Sequence, residues 1–112
     1  MHELSLCLAI ARTATDHANG RPVDRVFVRI GHFRQVVPDT LQFNWQMLTA
    51  STDLEGCVLE VEHVPATVSC RSCQAGSVLD APVLLCPSCG SSDVTLLGGN
   101  ELLVSALELA AD

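Results

Sequence analysis

The sequence predicts an α+β fold: a small three-stranded mixed sheet with two helices, and a four-cysteine module of the zinc-ribbon kind inserted before the last strand. Three observations predict it. Helical and alternating apolar patterns succeed one another from residue 4 to residue 64. Two C-x-x-C pairs then fall at 70, 73, 86 and 89 in a stretch rich in turn residues. Regular patterning resumes after Gly98-Gly99. The expected division is an α/β domain of residues 1–65 and 100–112, and a metal-binding module of residues 66–99.

The first helix spans about residues 4–18. Leu4, Cys7, Leu8, Ala11, Ala14 and Ala18 recur at helical spacing, and Asn19-Gly20 followed by Pro22 stops it. Residues 24–31 alternate, with Val26, Val28 and Ile30 on one face and Phe27 and Arg29 on the other, as in a strand. Pro38 opens a second helix to about residue 50, because proline at the first helical position lacks only an N–H that has no partner there. Leu41, Trp45 and Leu48 share its apolar face. Residues 57–64 read as a second strand, with Glu60 and Glu62 on one face. Residues 101–109 suit either strand or helix. A strand is expected, because the segment follows two glycines and would rejoin the sheet. The strand–helix–strand unit should make a right-handed parallel crossover. The pattern leaves open whether both helices cover one side of the sheet.

Residues 66–99 hold four cysteines, many glycines and serines, and no aromatic residue. Such a segment cannot easily form a core, so a metal would have to organise it. Zinc takes four ligands in a tetrahedron, and each of the pairs Cys70/Cys73 and Cys86/Cys89 can span one edge. Four thiolates leave no open position, which makes the expected zinc site structural. Disulfides and a rubredoxin-like iron site are the alternatives for the same four cysteines. Cys7 and Cys57 have no partner spacing and read as plain core.

The formal charge is −7, and the chain has six arginines and no lysine. Binding to DNA or RNA needs a basic face to displace counterions, so no nucleic-acid partner is expected. No apolar run reaches the roughly 18 residues of a membrane span, and the N-terminus lacks the basic start of a signal peptide. A cytoplasmic protein is expected. A phosphate-binding P-loop needs a lysine, His2-Glu3 does not continue as HExxH, and no nucleophile motif is present, so the chain does not read as an enzyme.

The chain begins Met1-His2-Glu3. Alone, a histidine at position 2 is usually only a polar terminal residue. Its chelating chemistry is specific, however. The terminal amine and the His2 amide nitrogen close a five-membered ring, and the amide and the nearer imidazole nitrogen close a six-membered one. Glu3 offers an amide or a carboxylate next in line. Such nitrogen-rich planar sets suit nickel(II) or copper(II) better than zinc.

Met1-His2-Glu3-Leu4-Ser5, Ile30-Gly31, Pro38 with Leu41 and Phe43, the two cysteine pairs with Cys86-Pro87-Ser88-Cys89-Gly90-Ser91, and Gly99-Asn100-Glu101-Leu102 together resemble the hydrogenase nickel-incorporation proteins of the HypA/HybF type. The resemblance runs in order along essentially the whole chain. It implies a nickel metallochaperone with nickel bound at Met1, His2 and Glu3, and a separate zinc module at Cys70, Cys73, Cys86 and Cys89. It also implies a partner GTPase and delivery to the hydrogenase large subunit, or to urease in some relatives. The oligomeric state expected is a monomer or a weak homodimer. Two positions depart from the family pattern. His32 stands where glutamate is usual, and Val37 where an aspartate often lies. His32 and Asp39 are the candidate replacements for the outer nickel ligand. His17 reads as a favourable helix C-terminal residue, and His63 as packing or edge exposure. The competing functional readings are a zinc-ribbon interaction adaptor with no nickel of its own, and an iron electron-transfer protein.

Overall fold

The computed structural model describes residues 2–81 and 83–111, the side chain of His2 excepted. The elements are α1 (His2–Ala18), β1 (Val23–Gly31), a 3-10 turn (His32–Arg34), α2 (Pro38–Thr49), β2 (Val58–Val64), β3 (Ala66–Cys70), β4 (Gly76–Leu79), β5 (Val94–Gly98) and β6 (Leu102–Leu109). They form two three-stranded sheets, ordered β2-β1-β6 and β4-β3-β5. The chain divides into two compact units, Met1–Arg29 with Val36–Glu62 and Leu103–Asp112, and Ile30–Gln35 with His63–Leu102.

In the first unit α1 buries Leu6, Cys7, Ile10, Ala14 and Ala18. The stripe expected from the sequence was rotated from this one, since Leu4 and Leu8 are 44% and 47% exposed while Leu6 and Ile10 are 6% and 1%. The segment Leu4–Ile10 is apolar almost all round, so periodicity alone fits two neighbouring stripes. On α2, Leu41, Trp45 and Thr49 are buried, and the Trp45 indole N–H donates to the Cys57 carbonyl at 2.9 Å. The Cys7 thiol reaches the Leu41 carbonyl at 3.5 Å, which ties α1 to α2.

Strand β1 buries Val26 and Val28 and exposes Arg25 and Arg29. Helices packed on both faces would bury both sets, so α1 and α2 cover the same face. The open face carries ion pairs Arg25–Glu60 at 2.8 Å, Arg25–Glu108 at 3.3 Å and Arg29–Glu62 at 3.4 Å. Exposed pairs of this kind contribute about 0.2–1 kcal/mol each, so they pin register more than they stabilise. They also give strand direction. Partners on β2 rise with β1, from Glu60 to Glu62, as parallel strands require. Partners beyond β1's other edge fall, from Ala110 N–H on the Pro22 carbonyl to the Ser105 hydroxyl on the Phe27 carbonyl. The sheet is therefore mixed, and residues 101–109 resolve as strand.

The second unit has regular structure where none was expected. β3 is central and antiparallel to both β4 and β5, with Val68 opposite Ser77 on one side and Leu96 on the other. Ala66, Val68 and Leu79 form a small core, with Phe33, Val94 and Leu96 packed against it. The absence of aromatics within residues 66–99 was misleading, because the 3-10 turn supplies Phe33 from outside that segment. The strands are four or five residues long and bounded by cysteines and glycines, too short for alternation to stand out.

Two glycines permit the closest backbone approach in this unit. Gly99 has φ +113°, and a Cβ there would lie 2.5 Å from the Ala66 Cα. A Cβ on Gly31 would run into the Gly99 carbonyl carbon and oxygen. Around them Gly31 N–H donates to the Glu101 carbonyl at 2.8 Å and Phe33 N–H to the Gly99 carbonyl at 2.6 Å. The Glu101 carboxylate in turn accepts Gly99 N–H at 2.7 Å. Gly99→Ala is expected to destabilise the protein by about 1–3 kcal/mol from backbone conformation alone, with the clash adding to that. Chemical denaturation of the two forms measures it, and unchanged stability would contradict the packing described.

Candidate metal centre

The four cysteines of the second unit converge. Cys70 ends β3, Cys73 lies in the turn from β3 to β4, and Cys86 and Cys89 lie in the turn before β5. All four Sγ atoms lie within 4.8 Å of one another. The Cys70–Cys89 and Cys73–Cys86 sulfur separations are 3.7 and 3.6 Å. A tetrahedron with metal–sulfur bonds of about 2.3 Å has edges of about 3.8 Å, so the four sulfurs already outline a four-coordinate ion. A disulfide needs about 2.05 Å, well short of these separations.

The two pairs are built alike, and the backbone explains the convergence. Cys70 N–H donates to the Ala75 carbonyl at 2.9 Å and Gln74 N–H to the Cys70 carbonyl at 3.0 Å. In the second pair, Cys86 N–H donates to Ser91 and Gly90 N–H to Cys86, both at 2.8 Å. The residue after each second cysteine takes a left-handed conformation, Gln74 at φ +67° and Gly90 at +77°. Glycine adopts this without strain, whereas glutamine does so at some cost. The pairs are linked by the Ser72 and Ser91 hydroxyls at 3.0 Å, and by Arg71, which meets Asp93 at 2.7 Å and also the Thr95 hydroxyl.

Cys73 N–H points at the Cys70 sulfur at 3.4 Å. Such amide contacts favour thiolate. The Cys89 N–H above all, then that of Ser88, holds Cys86 down at about 6, and the N–H of Cys73 holds Cys70 below the usual thiol range. At Cys73 the Ala75 amide pulls the same way, but hydrogen bonding to the Cys86 sulfur and burial outweigh it and push the thiol up to about 12. Among themselves the four thiols thus share protons unevenly, with the first cysteine of each pair ionised first. Any bound cation must displace the protons that remain. Cys7 and Cys57 lie apart from this cluster. Burial, then the Glu3 charge, raises Cys7 to about 11, and burial with Asp24 raises Cys57. Both are buried, as inert core thiols are.

Met1 and the His2 side chain lie outside the described residues. Glu3 is buried on α1, and its carboxylate accepts the Val37 N–H at 3.1 Å. Val37 is the N-cap residue of α2 and has no side-chain cap of its own, so Glu3 places an anion at that helix start. Asp39 is exposed in the first turn of α2. His32 belongs to the second unit, with Nδ1 3.3 Å from His63 Nε2 and Nε2 2.8 Å from the Asp80 carbonyl. His63 is exposed, the second of the two readings its position allowed, packing or edge exposure, but the His32 pairing was not foreseen, since the two lie 31 positions apart. His17 bonds back to the Thr13 carbonyl at 2.9 Å, one turn earlier in α1.

A family model described as hydrogenase/urease nickel incorporation, metallochaperone, matches residues 1–109. A hydrogenase maturation factor HypA from Geotalea uraniireducens (strain Rf4) is 39% identical over 109 residues, covering 97% of this chain and 99% of that one. A namesake from Nostoc sp. (strain PCC 7120 / SAG 25.82 / UTEX 2576) is 34% identical over 109 residues, covering 97% and 96%. In fold, the chain resembles the solution structure of the Ni metallochaperone HypA from Helicobacter pylori, with a TM-score of 0.67 at 22% identity and full coverage of both chains. The class is thus that of metallochaperones, which bind and pass on metal ions and are not enzymes. This chain belongs to the HypA family of nickel-incorporation proteins for hydrogenase maturation.

Replacing Cys73 and Cys89 together by serine should abolish stoichiometric metal, because two thiolates cannot complete the tetrahedron. Protons compete with any cation for the four sulfurs, so the wild-type site should hold its ion at neutral pH and release it as the solution is made acid. Elemental analysis after dialysis at stepped pH reads both. Full metal retention in the double variant, or at strongly acid pH, would contradict the assignment.

Proposed function

We propose that the chain carries nickel(II) at its N-terminus, through the Met1 amine, His2 and Glu3, while Cys70, Cys73, Cys86 and Cys89 hold a structural zinc. In this reading the first unit, with the two helices, is the nickel-binding domain and the second the zinc module. The nickel goes to the large subunit of a [NiFe]-hydrogenase in the cytoplasm, with a nickel-insertion GTPase as partner, and the carrier works as a monomer or weak homodimer. One observation carries the reading: the family match extends through the Met1-His2-Glu3 start and both cysteine pairs in order.

Physical chemistry supports the division of labour. Four soft sulfurs in a closed tetrahedron suit zinc and leave nothing to hand over, whereas a planar set of nitrogens suits nickel. The N-terminal set is also compatible with the helix. The first four N–H groups of a helix have no acceptor one turn earlier. Residues 2 and 3 open α1, so their amides can lose a proton to a metal without breaking a helical hydrogen bond. The Glu3 carboxylate already serves Val37, which makes its amide the donor better suited to nickel. Asp39, exposed in the first turn of α2, is the further donor available within the first unit where the family's aspartate is replaced by Val37, whereas His32 lies in the second unit.

His2→Ala should abolish specific nickel binding and hydrogenase maturation while leaving fold and zinc unchanged. Acetylating the Met1 amine should weaken nickel binding. Affinity should rise with pH, because the amides bind deprotonated. Nickel titration of the native, acetylated and substituted proteins, beside hydrogenase activity in cells carrying His2→Ala, checks each point. Unchanged affinity and maturation in that variant would leave the interaction-adaptor reading in its place.

A further inference from the structure

Outside the four thiols, two imidazoles of the second unit meet in a geometry that the nickel and zinc assignments do not use. His32 stands on the 3-10 turn directly after Gly31, and His63 is the next-to-last residue of β2. Their ring centroids are 5.4 Å apart with planes at 82°, and His32 Nδ1 is 3.3 Å from His63 Nε2. The other nitrogen of His32 lies 2.8 Å from the Asp80 carbonyl. A carbonyl only accepts, so Nε2 of His32 donates there, and in the neutral ring the Nδ1 lone pair then faces His63. A backbone carbonyl that fixes tautomer and ring orientation in this way is the usual outer support of a metal-binding histidine.

The separation points the same way. At 3.3 Å the two nitrogens are further apart than the roughly 2.9–3.0 Å of a good N–H hydrogen bond. Two nitrogens on one tetrahedral ion, each about 2.0–2.1 Å from it, would be about 3.3–3.4 Å apart. The backbone holds the first ring in place, since hydrogen bonds from Gly31 and Phe33 to Glu101 and Gly99 flank His32 on both sides. His63 is exposed and His32 partly so, which leaves room for further ligands.

We propose that His32 Nδ1 and His63 Nε2 form a second metal-binding site for a divalent first-row ion such as nickel(II) or zinc(II). Water or a donor from another molecule completes its coordination. Two imidazoles hold an ion weakly and release it readily, unlike four thiolates. The proposal stands independently of the N-terminal nickel reading, and its test separates the two.

Zinc-loaded full-length protein carrying His2→Ala is titrated with nickel chloride, and the imidazole resonances are followed by NMR beside calorimetry. Paramagnetic nickel should broaden the His32 and His63 rings first and together, with His17 as an internal control. Adding His63→Gln, a change at an exposed position, should weaken this binding by at least about tenfold, the lower end of what losing an outer-shell partner alone costs. It should also spare the His32 signal at one equivalent. Thermal unfolding of the same variant verifies that the fold is intact. Equal broadening at His17, untouched His32 and His63 rings, or unchanged affinity in His63→Gln would each overturn the site and leave the pair a simple hydrogen bond.

Discussion

Charge crowding at the four cysteines is the constraint on which the second unit rests. Four Sγ atoms within 4.8 Å cannot all ionise unaided, because like charges so close repel strongly even in a polar medium. Sharing protons among the four thiols eases the conflict, and the backbone decides how. Amides of the two turns favour the first thiolate of each pair, and the second sulfurs keep their protons. A divalent cation removes the conflict altogether. The turn geometry, the left-handed Gln74 and Gly90, and the polar links between the turns all present sulfur inward. The small core of Ala66, Val68 and Leu79 stands beneath that arrangement and gives the strands a reason to pair.

The first unit obeys a different economy. Its sheet is sealed on one face by two helices and left charged on the other, and the buried Trp45 and Ile10 outweigh the surface ion pairs in stability. What matters for function is how the chain start is held. The Glu3 carboxylate reaches the N–H of Val37 and ties the first turn of α1 to the first turn of α2. His2 and Glu3, two of the three residues proposed as nickel ligands, therefore open a helix whose first turn has a tertiary anchor.

Much of this was legible in the sequence, for stateable reasons. Two helices and the first two strands of the first sheet announce themselves through periods long enough to read, with proline and glycine signals to bound them, whereas residues 101–109 fit strand or helix by pattern and only the preceding glycines favoured strand. The cysteine spacing reports the four-sulfur cluster, because C-x-x-C geometry depends on local backbone alone. What failed depends on distance in the sequence. The α1 stripe was misplaced because Leu4, Leu6, Leu8 and Ile10 are all apolar and only α2 and the sheet decide between them. The second sheet was missed because its strands are short and its one aromatic, Phe33, comes from a turn far upstream. The His32–His63 pair and the Glu3–Val37 bond join residues 31 and 34 positions apart, beyond what any local pattern reports.

The placement of β6 has a consequence for folding order. It pairs with β1 in the first sheet, yet the chain reaches it only after residues 65–101. If that stretch were a loose coil, closing it would cost roughly 3 kcal/mol in chain entropy. With its own sheet and cysteine cluster formed, the insert is no longer a floppy loop but a compact spacer, and much of that entropy is already spent. Any ion held at the four sulfurs would order this spacer and so ease the pairing of β6 with β1. An insert that folds late therefore delivers β6 late to its place beside β1.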